Sequence, residues 1–364
     1  MVKQQDKQNL RTGYTTGACA AAAARAAAIV LLGQKALEQV SIDLRGVGTT
    51  VFNIYKCSFD SSQASCSVIK DAGDDPDITH GAEICTAISW TNQPGITIIA
   101  GEGVGTVTKP GLEIPVGHAA INPVPRRMIE EAVREIIESK LNEKGVLVSV
   151  SVPDGKKLAI KTLNSRLGIE GGISILGTTG VVIPYSISAY KTCIVQSFDI
   201  ASACGCQHVV LTTGRRSEKY AQSELALQEE CFVQAGDFIG FSLKECNKHE
   251  FTGVIIWGMT GKLSKLAAGH LYTNISDSRI DIGFLAEVAI DSGIPKQIIE
   301  PLRSAITANQ FRRMLPSEYV GSFCDRLCSL AAKKCSESVS GKMNIECIMS
   351  SYNGVILGRG DAKS

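Results

Sequence analysis

Residues 17–32 read GACAAAAARAAAIVLL, and no other stretch restricts the fold of this chain as tightly. Alanine is the strongest helix former yet only weakly hydrophobic. A helix apolar all round is stable when it is buried, and side chains this small let neighbouring layers come close. The run follows a basic leader and so imitates a secretory signal. Arg25 interrupts its apolar part, however, and no polar cleavage region follows. No stretch approaches the roughly 20 apolar residues of a membrane span. The expectation is an Ala-rich helix packed on a sheet, in a protein neither exported nor embedded.

A chain of 364 residues has room for two domains at about 100–200 residues each. Its 37 basic and 36 acidic side chains nearly cancel, which excludes a global polybasic nucleic-acid binder but leaves local patches. Aromatic residues make up 5%, so the cores must be aliphatic, while 35 glycines leave many positions free for tight turns or close approach to a ligand. The thirteen cysteines are odd in number and show no disulfide framework, which points to the reducing cytoplasm. Cys204-Gly-Cys206 lacks a second pair at zinc spacing, and Cys324 and Cys328 share one helix face. No metal site of the protein's own is expected.

From Val40 to about Lys109 short alternating strands follow one another: VSIDL, TVFNIYKCSF, ASCSVIKD, EICTAISW and GITIIAGEG. With no helix between them, they predict an antiparallel or mixed sheet. PRRMIEEAVREIIESKL, at 125–141, is an amphipathic helix, and strand VLVSVSV follows. Beyond about Tyr190 strands alternate with helices. A helix through 191–203 leads to HVVLTTG, a helix from about Ser217, GVIIWG, GKLSKLAAGHL, and helices at 281–291, 295–313 and 317–336. Asn353-Gly354 then marks a hairpin within MNIECIMSSYNGVILG. The expected fold is an α+β N-terminal domain with a mixed sheet (1–190), which carries Gly-rich substrate-binding segments. An α/β Rossmann-like C-terminal domain (191–364) follows, a candidate for cofactor binding.

Several segments could carry chemistry. Three Thr-Thr-Gly triplets occur, at 15–17, 178–180 and 212–214. A Thr-Gly turn at a helix start offers hydroxyls and amides to a carboxylate or phosphate, although ordinary capping explains a single pair equally well. KDAGDDPDITHG crowds Lys70, Asp71, Asp74, Asp75, Asp77 and His80 into eleven residues. Such carboxylates can share protons, and a nearby histidine can move one; a solvated loop of Asx turns is the plainer alternative. GEGVGTVTKPG, from Gly101, imitates a nucleotide loop, but the prolines after it forbid the required helix. WGMTGKLSK fails P-loop spacing yet sets Lys262 at a helix start. Arg126, Arg127, Lys161, Arg166, Arg215, Arg216, Lys262 and Lys265 are candidate partners for carboxylates.

Taken in order, LRTGYTTGACAAAAA, KDAGDDPDITHGAEI, GEGVGTVTKPGLEIPVGHAAINPVPRRMI, KTLNSRLGIEGGISILGTTGVVIPYS and GMTGKLSKLAAG resemble the cobalt-precorrin-5B C(1)-methyltransferases of anaerobic cobalamin biosynthesis. These stretches span about two-thirds of the chain. Thr260 stands where the family pattern has proline. The resemblance implies methyl transfer from S-adenosylmethionine, a co-substrate, to ring carbon 1 of a corrinoid whose cobalt arrives inside the substrate.

On that footing Thr15, Thr16, Gly17, Lys109, Arg126, Lys161 and Arg166 are expected to meet the carboxylated rim of the macrocycle. Asp74, Asp75 and His80 are the acid–base candidates. Thr213, Gly214, Gly258, Gly261 and Lys262 are assigned to the cofactor. The partner expected is the cobalt-corrinoid itself, with no nucleic acid and no membrane, and a homo-oligomer stays open. The alternative is a protein that binds or channels a tetrapyrrole without chemistry.

Overall fold

Thr15 fixes the start of the alanine helix: its backbone is extended and its Oγ1 accepts from the Ala18 amide at 3.2 Å. A computed structural model describes residues 10–141, 144–341 and 343–362. The chain divides after Ile187 into two units. The first opens with β1 (Gly13–Tyr14) and α1 (Thr16–Gly33), then β2 (Gln39–Leu44), β3 (Gly48–Asn53), β4 (Lys56–Phe59) and β5 (Gln63–Ile69). It continues through β6 (Glu83–Thr91), β7 (Ile96–Ala100), β8 (Thr106–Val107), α2 (Pro123–Ile137) and β9 (Gly145–Ser151). α3 (Gly155–Ala159), β10 (Ile169–Glu170) and β11 (Val181–Val182) complete it.

A five-stranded sheet ordered β4-β5-β6-β9-β7 forms the body of this unit, antiparallel except where β7 runs parallel to β9. Its strands alternate buried and open positions; Ile84, Ile88, Val148 and Val150 face inward and are fully buried. α1 lies on this face with α2 beside it, and the Thr86 hydroxyl ties the sheet to the helix through the Ala20 carbonyl at 3.1 Å. Among the described residues α1 is the one helix long and apolar enough to cross a membrane, but 78% of that window is buried inside the unit. Arg25 reaches out of it to Glu135 on α2 at 2.5 Å.

Local chemistry shifts some expected boundaries. TVFNIYKCSF splits into β3 and β4 at Ile54-Tyr55. α2 starts two residues early, at Pro123, because proline needs no amide partner in a first turn.

The second unit holds α4 (Ile187–Ala203), β12 (His208–Thr212), α5 (Arg215–Glu224), β13 (Phe232–Gln234), α6 (Ile239–Lys248), β14 (Gly253–Met259) and α7 (Thr260–Ala267). Next come α8 (Ile282–Asp291), α9 (Lys296–Ile299), α10 (Ala308–Met314), α11 (Ser317–Ser338), β15 (Asn344–Ser350) and β16 (Ile356–Ala362). The single helix expected over 295–313 is broken: a 3-10 turn containing Pro301 separates α9 from α10.

The sheet order is β13-β12-β14-β15-β16, parallel throughout except for β16. Val209, Val210 and Leu211 are consecutive and fully buried, as a strand covered on both faces requires. The terminal hairpin joins this sheet through β15, and the buried Trp257 indole on β14 donates to Ser350 Oγ on β15 at 3.0 Å. Cys324 and Cys328 pack together on the buried face of α11. The architecture is mixed α/β with several sheets, two of them large.

Candidate functional site

In the second unit the chain leaves β12 for β13 on one side and returns to β14 on the other. The carboxyl ends of β12 and β14 therefore meet where successive connections diverge, which is where open parallel sheets take ligands. Thr213 and Gly214 follow β12, and the Thr213 amide donates to the Trp257 carbonyl of β14 at 3.2 Å. Gly214 caps α5 with an extended φ of 160°, and no protein atom lies within 4 Å of where a Cβ would stand. Gly261, in the first turn of α7, is equally open. Gly258 faces inward instead, its missing Cβ 3.2 Å from Thr213 Cγ2 and 3.3 Å from Leu263. All five cofactor-assigned residues thus gather at one end of one sheet.

A further arm, absent from the sequence reading, comes from β13. The Lys262 ammonium contacts Asp237 Oδ1, which also accepts from Thr273 Oγ1 at 2.9 Å. Lys265 donates in turn to the Thr273 carbonyl at 2.9 Å. Burial and then the Lys265 cation push the Lys262 ammonium down to about 8; the Asp237 carboxylate against it works the other way and favours the charged form. Lys262 therefore already has an anion, supplied by the protein. Gln234 Nε2 donates to Glu218, closing the same edge.

In the first unit the loop between β5 and β6 is stapled by partners far away in sequence. Arg11 grips Asp71 through both terminal nitrogens, one of them at 3.0 Å. That guanidinium, helped by the Gly73 amide, holds the Asp71 carboxyl down to about 2. Lys70 is buried and reaches Asp77 at 2.6 Å. Burial works to raise the Asp77 carboxyl, but the Lys70 cation and the Thr79 hydrogen bonds overcome it and leave it lowered.

The catalytic candidates Asp74, Asp75 and His80 all lie on this loop. Asp74 accepts from the Arg11 amide at 2.6 Å and Asp75 from the Tyr185 amide at 2.8 Å. Each carboxylate thus has its own main-chain donor, and the crowding that suggested shared protons resolves into separate structural bonds. His80 differs: its Nδ1 accepts from the Ala72 amide at 3.1 Å, which puts the neutral ring's proton on Nε2, and the side chain is exposed. Among the described residues no group of three or more His, Cys, Asp or Glu could hold a metal.

Thr15, Thr16 and Gly17 form the start of α1. The Thr15 hydroxyl caps α1, and its amide donates to the Gly180 carbonyl at 2.9 Å. Thr16 Oγ1 takes the Leu176 amide at 2.9 Å, and the Gly17 amide goes to the Leu176 carbonyl at 3.0 Å. Both threonines are buried. The first Thr-Thr-Gly segment is therefore bound to the chain at Leu176 and Gly180.

The Gly-rich stretches behave in the same way. A Cβ on Gly103, at φ +73°, would stand 1.9 Å from the Val152 carbonyl oxygen, and one on Gly172 would stand 2.1 Å from the Gly103 carbonyl oxygen. These glycines let segments of the protein cross one another closely.

Arg126 lines a cavity of about 540 Å³ at the open edge of β7, with Glu113 and His118 at its rim and Ile98, Ile114 and Ile121 among its apolar lining. Its Nη1 donates to the Ile98 carbonyl at 3.3 Å. Lys109 lies elsewhere, its stem filling the space above Gly168, while Arg166 sits just before that turn and Lys161 is exposed. A second hollow, of about 360 Å³, is lined by Arg25, Arg45, Glu131, Glu135 and the Thr178-Thr179 pair. No local sequence signal announces it, because its walls come from α1, α2 and the β2-β3 hairpin.

The family model CbiD matches residues 3–184, and that of the CbiD C-terminal domain matches residues 272–361. The cobalt-precorrin-5B C(1)-methyltransferase of Geobacillus thermodenitrificans (strain NG80-2) is 46% identical over 356 residues, 98% of this chain and 96% of the relative. That of Priestia megaterium is 44% identical, covering 98% and 97%. The corresponding protein of Leptospira interrogans serovar Lai is 40% identical, covering 97% and 96%. A solved structure, the cobalamin biosynthesis protein (CbiD) from Archaeoglobus fulgidus, is 27% identical over 74% of this chain and 84% of that one, with a TM-score of 0.39.

Proposed function

The chain belongs to the CbiD family, and from that premise we infer that it is a cobalt-precorrin-5B C(1)-methyltransferase. It uses S-adenosylmethionine to methylate carbon 1 of the corrinoid and yields cobalt-precorrin-6A. The observation that carries this reading is 46% identity sustained over 98% of the chain to a relative of that name. S-adenosylmethionine supplies a methyl group already activated on sulfonium. The S–CH3 bond breaks with its electrons returning to sulfur, and a ring electron pair forms the new C–CH3 bond. Cobalt enters as part of the substrate.

With an activated donor, the protein's work is mainly positioning, an effect worth about 7–11 kcal/mol when the geometry is in line. The second unit is read as a Rossmann-like layer that holds the co-substrate where β12 and β14 end. The open positions at Gly214 and Gly261 support this reading, since a ligand backbone can approach there without meeting a side chain. The first unit is read as the corrinoid-binding part. Arg126, Lys109, Lys161 and Arg166 are assigned to separate acetate and propionate groups of the macrocycle rim. His80 is retained as the acid–base candidate, because its Nε2 side is exposed. Its contribution would be about 10²–10⁴-fold. Thirteen free thiols suit a reducing, cytoplasmic setting.

The test is incubation of the purified protein with cobalt-precorrin-5B and methyl-labelled S-adenosylmethionine. Label at carbon 1 of the corrinoid is the expected result. Tight corrinoid binding without label would instead support a carrier.

A further inference from the structure

We infer that Asp237 is the residue that accepts the ribose hydroxyls of the S-adenosyl co-substrate. The inference rests on placing that ligand at the ends of β12 and β14. β12 is flanked by β13 and β14, so the turn after β13 and the start of α7 stand on opposite sides of it. Asp237 belongs to the first and Lys262 to the second, and their contact bridges the two across the strand that ends in Thr213-Gly214.

The turn is held close to that strand. Gly236 donates its amide to the Thr212 carbonyl at 3.1 Å and adopts a left-handed φ of +59°. Tyr190 Oη donates to the Gln234 carbonyl at 3.1 Å on the same turn. In a strand–Gly turn–helix–strand unit, an acidic residue about 20 residues beyond the glycine turn reaches the ribose of a nucleoside bound there. Asp237 holds that position relative to Gly214.

Its own chemistry fits. Both Lys262 and Thr273 contact Oδ1, so they fix the plane of the carboxylate and stabilise its charge while Oδ2 takes part in neither contact. The side chain is 29% exposed, enough for a ligand to reach. A ribose diol offers two O–H donors, and an ionised carboxylate is acceptor-only. The resulting charge-assisted bonds are the stronger kind. Lys262 then acts as the positioning residue for this carboxylate.

Calorimetric titration of the full chain with S-adenosylhomocysteine and with its 2′-deoxy and 3′-deoxyribose analogues tests the assignment. Asp237→Asn is expected to weaken S-adenosylhomocysteine roughly 10–100-fold. It should leave the affinity for at least one deoxy analogue, already weak on the unmodified protein, unchanged. Asp237→Glu, which keeps an acceptor, should recover part of the loss. Equal weakening of all three ligands would reduce Asp237 to a structural role and overturn the inference. If Gly214→Val abolishes binding while Asp237→Asn binds normally, the crevice reading stands and the ribose assignment fails. If both variants bind S-adenosylhomocysteine like the unmodified chain, the crevice reading itself fails.

Discussion

Lys70 and Asp77 form an ion pair at 2.6 Å in which the lysine is 1% exposed, and together they close the loop between β5 and β6 from beneath. The Lys70 backbone is engaged too: its amide donates to Ala82 and its carbonyl accepts from Gly81. The partners are seven positions apart in sequence, yet their value depends on the burial that α1 and the sheet impose on the ammonium.

Removing one partner leaves the other charge stranded. Lys70→Met is expected to lower unfolding stability by about 3–5 kcal/mol in urea titrations. The double variant Lys70→Met, Asp77→Asn should recover part of that loss, because no lone buried charge remains. A single variant as stable as the unmodified chain would show that the pair contributes nothing.

The acid limb of stability follows from the same loop. Asp71 and Asp77 both titrate below the usual carboxylate value in the folded chain, so the unfolded chain binds protons first. Their stabilisation is present above the unfolded value near about pH 3.9 and is lost as pH falls through the folded values, about 2 for Asp71. Asp71→Asn should therefore lower the melting temperature at neutral pH and flatten its decline between those limits, so that the two proteins converge at low pH. Added salt should shrink the difference, since the Arg11–Asp71 pair is open to solvent.

Two glycines with similar backbone angles should respond differently. Gly103 at φ +73° has the Val152 carbonyl oxygen 1.9 Å from its missing Cβ, whereas Gly171 at φ +82° has open space. Gly171→Ala is expected to cost about 1–2 kcal/mol for the left-handed backbone alone. Gly103→Ala adds a backbone clash and should prevent the first unit from folding. Thermal melts of the two variants decide this, and comparable melting temperatures would contradict it.

His80→Asn separates a structural acceptor from a proton carrier. The Asn Oδ1 can replace Nδ1 as acceptor of the Ala72 amide, so the loop should keep its shape. If His80 moves a proton, kcat falls by about 10²–10⁴-fold with little change in KM. Full activity in the variant would confine the ring to its backbone bond.

Gly214→Val fills space that no protein atom occupies. Its melting temperature should match that of the unmodified chain while affinity for S-adenosylhomocysteine falls at least about tenfold, a loss of about 1.4 kcal/mol. Gly258→Val should also lose affinity but destabilise as well, because its side chain would press on Thr213 and Leu263. Unchanged affinity in both would place the co-substrate elsewhere.

Much of the architecture was legible in residue patterns. Period-two alternation marked β5, β6 and β9, the continuous apolar run marked β12, and Asn353-Gly354 marked the closing hairpin. Such signals work because they report on neighbours one to four residues away. The site was less legible. Thr213, Gly214, Gly258, Gly261 and Lys262 stand in Thr-Gly and Gly-Lys turns that the sequence displays, whereas Asp237 follows a strand of three residues that leaves almost no periodicity. The amide donors of Asp74 and Asp75, on Arg11 and Tyr185, lie 63 and 110 residues away and have no local signal.

By itself the alanine run determined that this chain must bury a narrow helix on almost every side, since alanine favours the helix without supplying a polar face. The matched motifs likewise determined the family. Tertiary structure decided what those motifs do: Thr15 and Thr16 seat against 176–180, Gly103 crosses Val152, and Lys262 meets Asp237 across β12. Each of these is a long-range contact. Whether a threonine hydroxyl or a glycine edge is left for a ligand depends on which distant segment arrives there first, and no local pattern encodes that arrival.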